Sequence, residues 1–258
     1  MIKIGLKLWS TNLYYIPIVR DIFARQIFDY IELFTVPNSL ETVFHWKELD
    51  IPYVLHAPHS AVGLNPGDRT CKDTNIVLVR QVNEFFHALS PKFVIFHPGA
   101  NGSLQESIAQ FRSFEEQFPV LYQKIIIENK PQVGLQDEKC LGASPQEIRT
   151  LLTETGRSFC FDSTHAICYA QNAHLPWQEI LKDFVSLKPV IFHVCDGYYG
   201  PKDAHKHLGE GEFDLSQIIG MLPSEGMVSL ETPKDSKDNL DDFVKDVEIF
   251  KSFAKVRK

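Results

Sequence analysis

Short apolar runs alternate along the chain with longer segments in which apolar residues return every three or four positions. The runs are Ile2 to Leu8, Tyr30 to Phe34, Tyr53 to His56, Phe93 to His97, Ile125 to Glu128, Phe159 to Asp162, Val190 to His193 and Met227 to Glu231. Runs of this length, rich in β-branched and aromatic residues, suit buried strands. Between them, Thr74 to Leu89 sets Ile76, Val79, Val82, Phe86 and Leu89 on one helical face. Ser103 before Leu104-Gln105-Glu106, Ser144 before Pro145-Gln146-Glu147 and Asp214 before Leu215-Ser216-Gln217 read as helix starts. Strand and helix alternating eight times predict an α/β chain folded as a parallel (β/α)8 barrel.

Barrels of this kind present functional side chains at the carboxyl ends of their strands. His56, His97, Glu128, Asp162, His193 and Glu231 each end a run here, directly after apolar residues. They should therefore face one rim and one pocket. Beyond the seventh run, a Gly-containing loop to Gly211 adds Asp196, Asp203, His205, His207 and Glu210, and Asp162 is followed by His165 about one helical turn later. Burying that many acceptors without a counter-charge is costly, whereas neutral imidazoles with carboxylates make an ordinary site for zinc or manganese. The expected ligands are His56, His97, Glu128, Asp162, His165, His193, Asp203, His205 and Glu231.

At 258 residues with 44% hydrophobic residues, the chain is the size of one barrel domain, taken as 1–258. A net charge of −7 argues against broad attraction to phosphate backbones, although bound divalent ions would offset it locally. Five cysteines without C-x-x-C spacing suit a reducing compartment, with Cys195 close to the ligand-rich loop. The first residues already look like a strand, and no leader or spanning segment is apparent. The expectation is a soluble, cytoplasmic, monomeric protein that does not associate with membranes.

His97-Pro98-Gly99, Ile127-Glu128-Asn129, Asp162-Ser163-Thr164-His165, His193 to Asp196, Asp203-Ala204-His205 with Leu208-Gly209-Glu210-Gly211, and Leu230-Glu231-Thr232 together resemble the endonuclease IV family. These are zinc-dependent apurinic/apyrimidinic endonucleases of the xylose-isomerase-like TIM barrel superfamily. The resemblance implies up to three Zn2+ ions, with Mn2+ as an alternative. His56, His97 and Glu128 would hold one; Glu128, Asp162, His193 and Glu231 a second; His165, Asp203 and His205 a third. His207 and Glu210 would support them by orienting imidazoles or water.

The resemblance further implies hydrolysis of the phosphodiester 5' to an abasic site, with double-stranded DNA as partner and Glu128 and Glu231 as the carboxylates acting in catalysis. Clustered metal ions suit that reaction because they acidify water and stabilise attacking and leaving oxygens. The sequence departs from the family at residues that penetrate DNA: Ser39 stands where an Arg is expected, His59 where a Tyr is expected, and Lys130-Pro131 where small residues are usual. The rival is a sugar or sugar-phosphate isomerase or epimerase of the same superfamily, with one divalent metal on Glu128, Asp162, His193 and Glu231 and proton transfer beside a carbonyl.

Overall fold

A computed structural model describes residues 2–255. Eight parallel strands close into a barrel in sequence order: β1 (Ile2–Trp9), β2 (Tyr30–Phe34), β3 (Tyr53–His56), β4 (Val94–Phe96), β5 (Ile125–Glu128), β6 (Ser158–Asp162), β7 (Ile191–Val194) and β8 (Gly226–Leu230). Each coincides with an apolar run to within a residue or two. Outside them lie helices α1 (Ile16–Ala24), α2 (Val43–Lys47), α3 (Lys72–Leu89), α4 (Leu104–Gln117), α5 (Pro119–Tyr122), α6 (Pro145–Thr155), α7 (Ser163–Ala173), α8 (Trp177–Val185), α9 (Leu215–Met221) and α10 (Asp241–Lys255).

The helix starts read from the sequence are caps in the structure. Ser103 accepts the Glu106 amide, Asp214 accepts the Gln217 amide, and Ser144 forms a full capping box with Glu147. Each satisfies an amide that the first turn leaves without an intrahelical partner. Asp162 does the same for α7 by accepting the His165 amide at 2.7 Å. One residue thus ends a strand, starts a helix and reaches the rim.

Strand side chains alternate between two environments, as the two-residue period requires. One set, including Ile31, Leu33, Leu55, Phe96, Ile127 and Leu230, packs outward with the helices into the main core. The other set fills the barrel, where Tyr30, Val54, Ile95, Ile126, Cys160, Ile191 and Met227 form a separate buried cluster. Gly5 belongs to that layer: a Cβ there would lie 2.4 Å from the Tyr30 ring, so its small size admits the tyrosine. Two residues further along each strand, the inward parity reaches Lys7, Glu32, His56, His97, Glu128, Asp162, His193 and Ser229, with Glu231 just beyond β8. The apolar plug therefore ends in a wholly polar layer at the carboxyl rim.

Candidate metal centre

The structure brings the nine expected ligands together, with His56, His97, Glu128, Asp162, His165, His193 and Glu231 buried and Asp203 and His205 partly so. Among the groups whose ligand atoms are close enough to share a cation, three match the expected ligand sets. They are His56 with His97 and Glu128; Glu128 with Asp162, His193 and Glu231; and His165 with Asp203 and His205. Glu128 belongs to two of them: its Oε2 lies 3.1 Å from His97 Nε2 and its Oε1 3.4 Å from His193 Nδ1.

Two of the imidazoles, His165 and His205, are fixed through the nitrogens that do not face Asp203. His165 Nδ1 donates to the Asn129 carbonyl at 2.8 Å, leaving Nε2 3.5 Å from Asp203 Oδ2. His205 Nδ1 donates to the Glu231 carbonyl at 2.7 Å, and its Nε2 lies 2.9 Å from the same Asp203 oxygen. The Asn129 side chain in turn clamps the Asp162 backbone, with bonds of 2.8 and 2.9 Å. Anchoring one ring nitrogen sets the tautomer and aims the other, the usual arrangement around a metal-binding histidine.

The donor set fits divalent cations. His56 Nε2 and His97 Nε2 face each other at 2.9 Å, each within 3.5 Å of Glu128 Oε2. Two imidazole nitrogens on one tetrahedral zinc stand about 3.3 Å apart, given bonds of about 2.0 Å, so these atoms already approach ligand spacing. His193 Nδ1 and Asp203 Oδ1 are buried without a hydrogen bond, although His193 Nδ1 lies 2.5 Å from Glu231 Oε1. Buried polar atoms crowded together but unbonded are what a shared cation relieves.

Charges within the cluster displace its titrations. Burial opposes protonation of His205, yet Asp203 outweighs it and raises the imidazole to about 9. His165 and His193 also rise against burial, His165 through Asp162 and Asp203, and His193 through Cys160 and then Glu231, Glu32 and Glu128. Burial lifts the Asp162 carboxyl to about 6, opposed by His165 and assisted by repulsion from Glu231 and Glu128. Because the folded His205 value exceeds the ordinary 6.5, its contribution to metal-free stability is complete below 6.5 and is lost as pH rises through about 9. A divalent ion must displace that proton. Binding is therefore expected to release protons and tighten steadily from about pH 6 to about pH 9. Zinc or manganese titrations in buffers of different ionisation enthalpy check this, and a flat affinity would contradict it.

Lys7 and Glu32, outside the expected set, complete the polar layer. Glu32 is fully buried and accepts from His56 Nδ1 at 3.2 Å, from His193 Nε2 at 2.9 Å and from the Ser229 hydroxyl. It thereby orients imidazoles belonging to two different ligand groups. Burial would raise its carboxyl, but His193 and Lys7 hold it far below the usual carboxylate range. Burial likewise works against the Lys7 ammonium, but Glu231, Glu32 and Glu128 keep it protonated. Their sequence signal is parity: Glu32 lies two residues after the inward Tyr30, and Lys7 two after Gly5. Glu32→Gln is expected to weaken metal binding by about 10- to 100-fold, measured by calorimetric titration, with the barrel intact by circular dichroism.

Other polar residues of the β7 loop build the loop itself. Asp196 accepts the amides of Gly197, Gly209 and Phe213 at 2.8 to 3.1 Å, and a Cβ on Gly211 would strike its Oδ1. His207 turns to Asp246 of α10 at 2.8 Å and to Asp235 at 3.3 Å, fastening the loop that carries Asp203 and His205. Glu210 is exposed. The His207 ring thus pairs with Asp246 and Asp235 and not with a ligand imidazole. His45, His87 and His174 are exposed on helices or their ends, away from the centre. The five cysteines are free, and burial pushes the Cys195 thiol up while it contacts Thr164 at 3.1 Å, making it a poor ligand.

Above the centre opens a cavity of about 870 Å3. Trp9, Phe34 and His59 form one wall: Trp9 meets Phe34 at 5.7 Å between centroids, Phe34 meets His59 at 5.6 Å, and His59 stacks on His97 at 5.9 Å. Burial drives His59 down to about 3, so it presents a neutral ring. Lys130, Pro131 and Leu135 from the β5–α6 loop, and Lys234 and Lys237 beyond β8, also line the cavity. No helix among the described residues is long and apolar enough to cross a membrane.

A closed parallel barrel with a buried ring of imidazoles and carboxylates at its carboxyl rim defines a candidate metal-dependent enzyme. Residues 25–253 match the Xylose isomerase-like TIM barrel family, and the chain belongs to it. Among curated proteins, a "Probable endonuclease 4" from Halothermothrix orenii is 24% identical over 210 residues, covering 73% of this chain and 74% of its own. Among solved structures, a D-tagatose 3-epimerase-like protein superposes with a TM-score of 0.75 at 21% identity, covering 99% of this chain and 98% of its own. Endonuclease IV from Thermus thermophilus superposes with a TM-score of 0.71 at 16% identity, covering 98% of this chain and 99% of its own. The structural likenesses establish the shared barrel.

Proposed function

We propose that the protein is a metal-dependent phosphodiesterase resembling endonuclease IV, acting 5' to abasic sites in duplex DNA through a site for three divalent ions. The observation that carries this reading is the His165–Asp203–His205 group beside the two groups joined by Glu128. An isomerase using one metal on Glu128, Asp162, His193 and Glu231 leaves that third group, and His97, without a task. The partial match to a probable endonuclease 4 also supports it.

In this reading His56, His97 and Glu128 hold one ion, Glu128, Asp162, His193 and Glu231 the second, and His165, Asp203 and His205 the third. Bound there, zinc or manganese supplies Lewis acidity that acidifies water and neutralises charge on a phosphoryl group. Glu128 and Glu231 are the proposed catalytic carboxylates. Glu128 faces both the His97 and His193 sides, while Glu231 lies between His193 and Lys7. Asn129 and Glu32 hold the imidazoles in place, and the Trp9–Phe34–His59 wall offers ring faces to a sugar or an unstacked base. We place the protein in the cytoplasm as a monomer of one domain.

Sugar or sugar-phosphate epimerisation is the second reading, favoured by the cavity. Its wall is aromatic, His59 and Ser39 stand where duplex-penetrating side chains are expected, and Ser39 is turned inward to Ser10 and the Val36 carbonyl. The deciding experiment measures nicking of an abasic-site duplex by zinc-replete protein, with metal-depleted protein and His205→Ala as controls. Nicking that disappears in both controls is expected. Its absence from the replete protein, together with C3 epimerisation of a ketose, would transfer the assignment to the second reading.

A further inference from the structure

Besides the three groups of the ion scheme, Glu32, His56 and Glu231 bring donor atoms close enough to share a cation, a niche to which the scheme assigns no ion. Its charge is nevertheless met. Lys7 enters from β1, in register with Glu32 of β2, and its ammonium contacts Glu231 and lies 3.4 Å from Glu32 Oε1. The Lys7 side chain is only 16% exposed and Glu32 is fully buried, so solvent does little to screen them.

We propose that the Lys7 ammonium is a resident cation of the metal centre, filling the niche between Glu32 and Glu231 and excluding a further divalent ion from it. Three consequences follow from its position. Glu32 stays ionised and able to accept from both His56 and His193, without binding a metal itself. Glu231 is shared between an ammonium and the neighbouring metal position. The number of ions held is set by a side chain as well as by the ligands. A buried pair of carboxylates left without a cation is strongly disfavoured, so removing Lys7 gives a divalent ion reason to enter.

The inference rests on the metal-centre reading, and the test separates the two. Wild-type chain, Lys7→Met and Lys7→Arg are loaded with Mn2+ or Zn2+, desalted, and counted by elemental analysis. Lys7→Met is expected to hold one more ion per chain than wild type and Lys7→Arg the wild-type number. An unchanged or lower count in folded Lys7→Met overturns the inference; a wild-type chain that binds no metal overturns the underlying reading instead. A second measurement uses wild-type protein alone, so a misfolded variant does not leave the question open. Acetylation of Lys7 by acetic anhydride, followed by mass spectrometry, is expected to be equally slow with and without Mn2+. A several-fold increase on metal loading would mean that the ion displaces the ammonium, contradicting its residence.

Discussion

Glu128→Gln should remove two ions at once and reduce turnover by two to four orders of magnitude. The carboxylate is buried, with one oxygen toward His56 and His97 and the other toward His165 and His193. An amide of the same shape keeps the volume and discards the charge. Taking one partner from a buried charged network costs about 3–5 kcal/mol, or roughly two to nearly four decades in an equilibrium or rate constant. The variant is expected to fold, since the apolar plug beneath it is untouched. Elemental analysis and the nicking assay check it together. A variant that keeps the wild-type metal count would place Glu128 outside the bridging position.

Chelation should lower the melting temperature by about 10 °C while leaving the far-ultraviolet circular dichroism spectrum unchanged at ambient temperature. Glu32, Glu128, Asp162, Asp203 and Glu231 lie within one rim, and the imidazoles and Lys7 offset them incompletely without metal. A ligand present at about 1,000 times its dissociation constant stabilises the native state by about 4 kcal/mol. For a chain this long each kcal/mol moves the midpoint by about 2–4 °C. Even one ion bound near that regime gives a shift of this size, and readdition of Mn2+ or Zn2+ should restore it. Differential scanning calorimetry before and after dialysis against a chelator is the check. A shift below about 2 °C would mean that metal contributes little to the folded centre.

The eight strands are legible because a parallel barrel buries both faces of every strand, leaving uninterrupted apolar runs such as Ile125-Ile126-Ile127 and Phe159-Cys160-Phe161. The rim residues are legible because those runs stop at a charge. Lys7 and Glu32 escape that rule because their strands continue past them, to Trp9 and Phe34. The charge then sits inside a strand and looks like an ordinary outward residue until the inward parity is known. The β7 loop is harder to read. Its density of His and Asp suggests ligands throughout, yet Asp196 and His207 fold the loop while Asp203 and His205 gather beside His165. Sequence spacing cannot resolve this, because side-chain direction changes at each turn.

Whether the nine side chains surround three cation positions or one is tested most directly by anomalous diffraction from crystals soaked in zinc. Three peaks are expected, one in each ligand group, about 2.0–2.2 Å from the imidazole nitrogens and carboxylate oxygens, with Glu128 touching two of them. A single peak among Glu128, Asp162, His193 and Glu231, with His97, Asp203 and His205 unliganded, would contradict it.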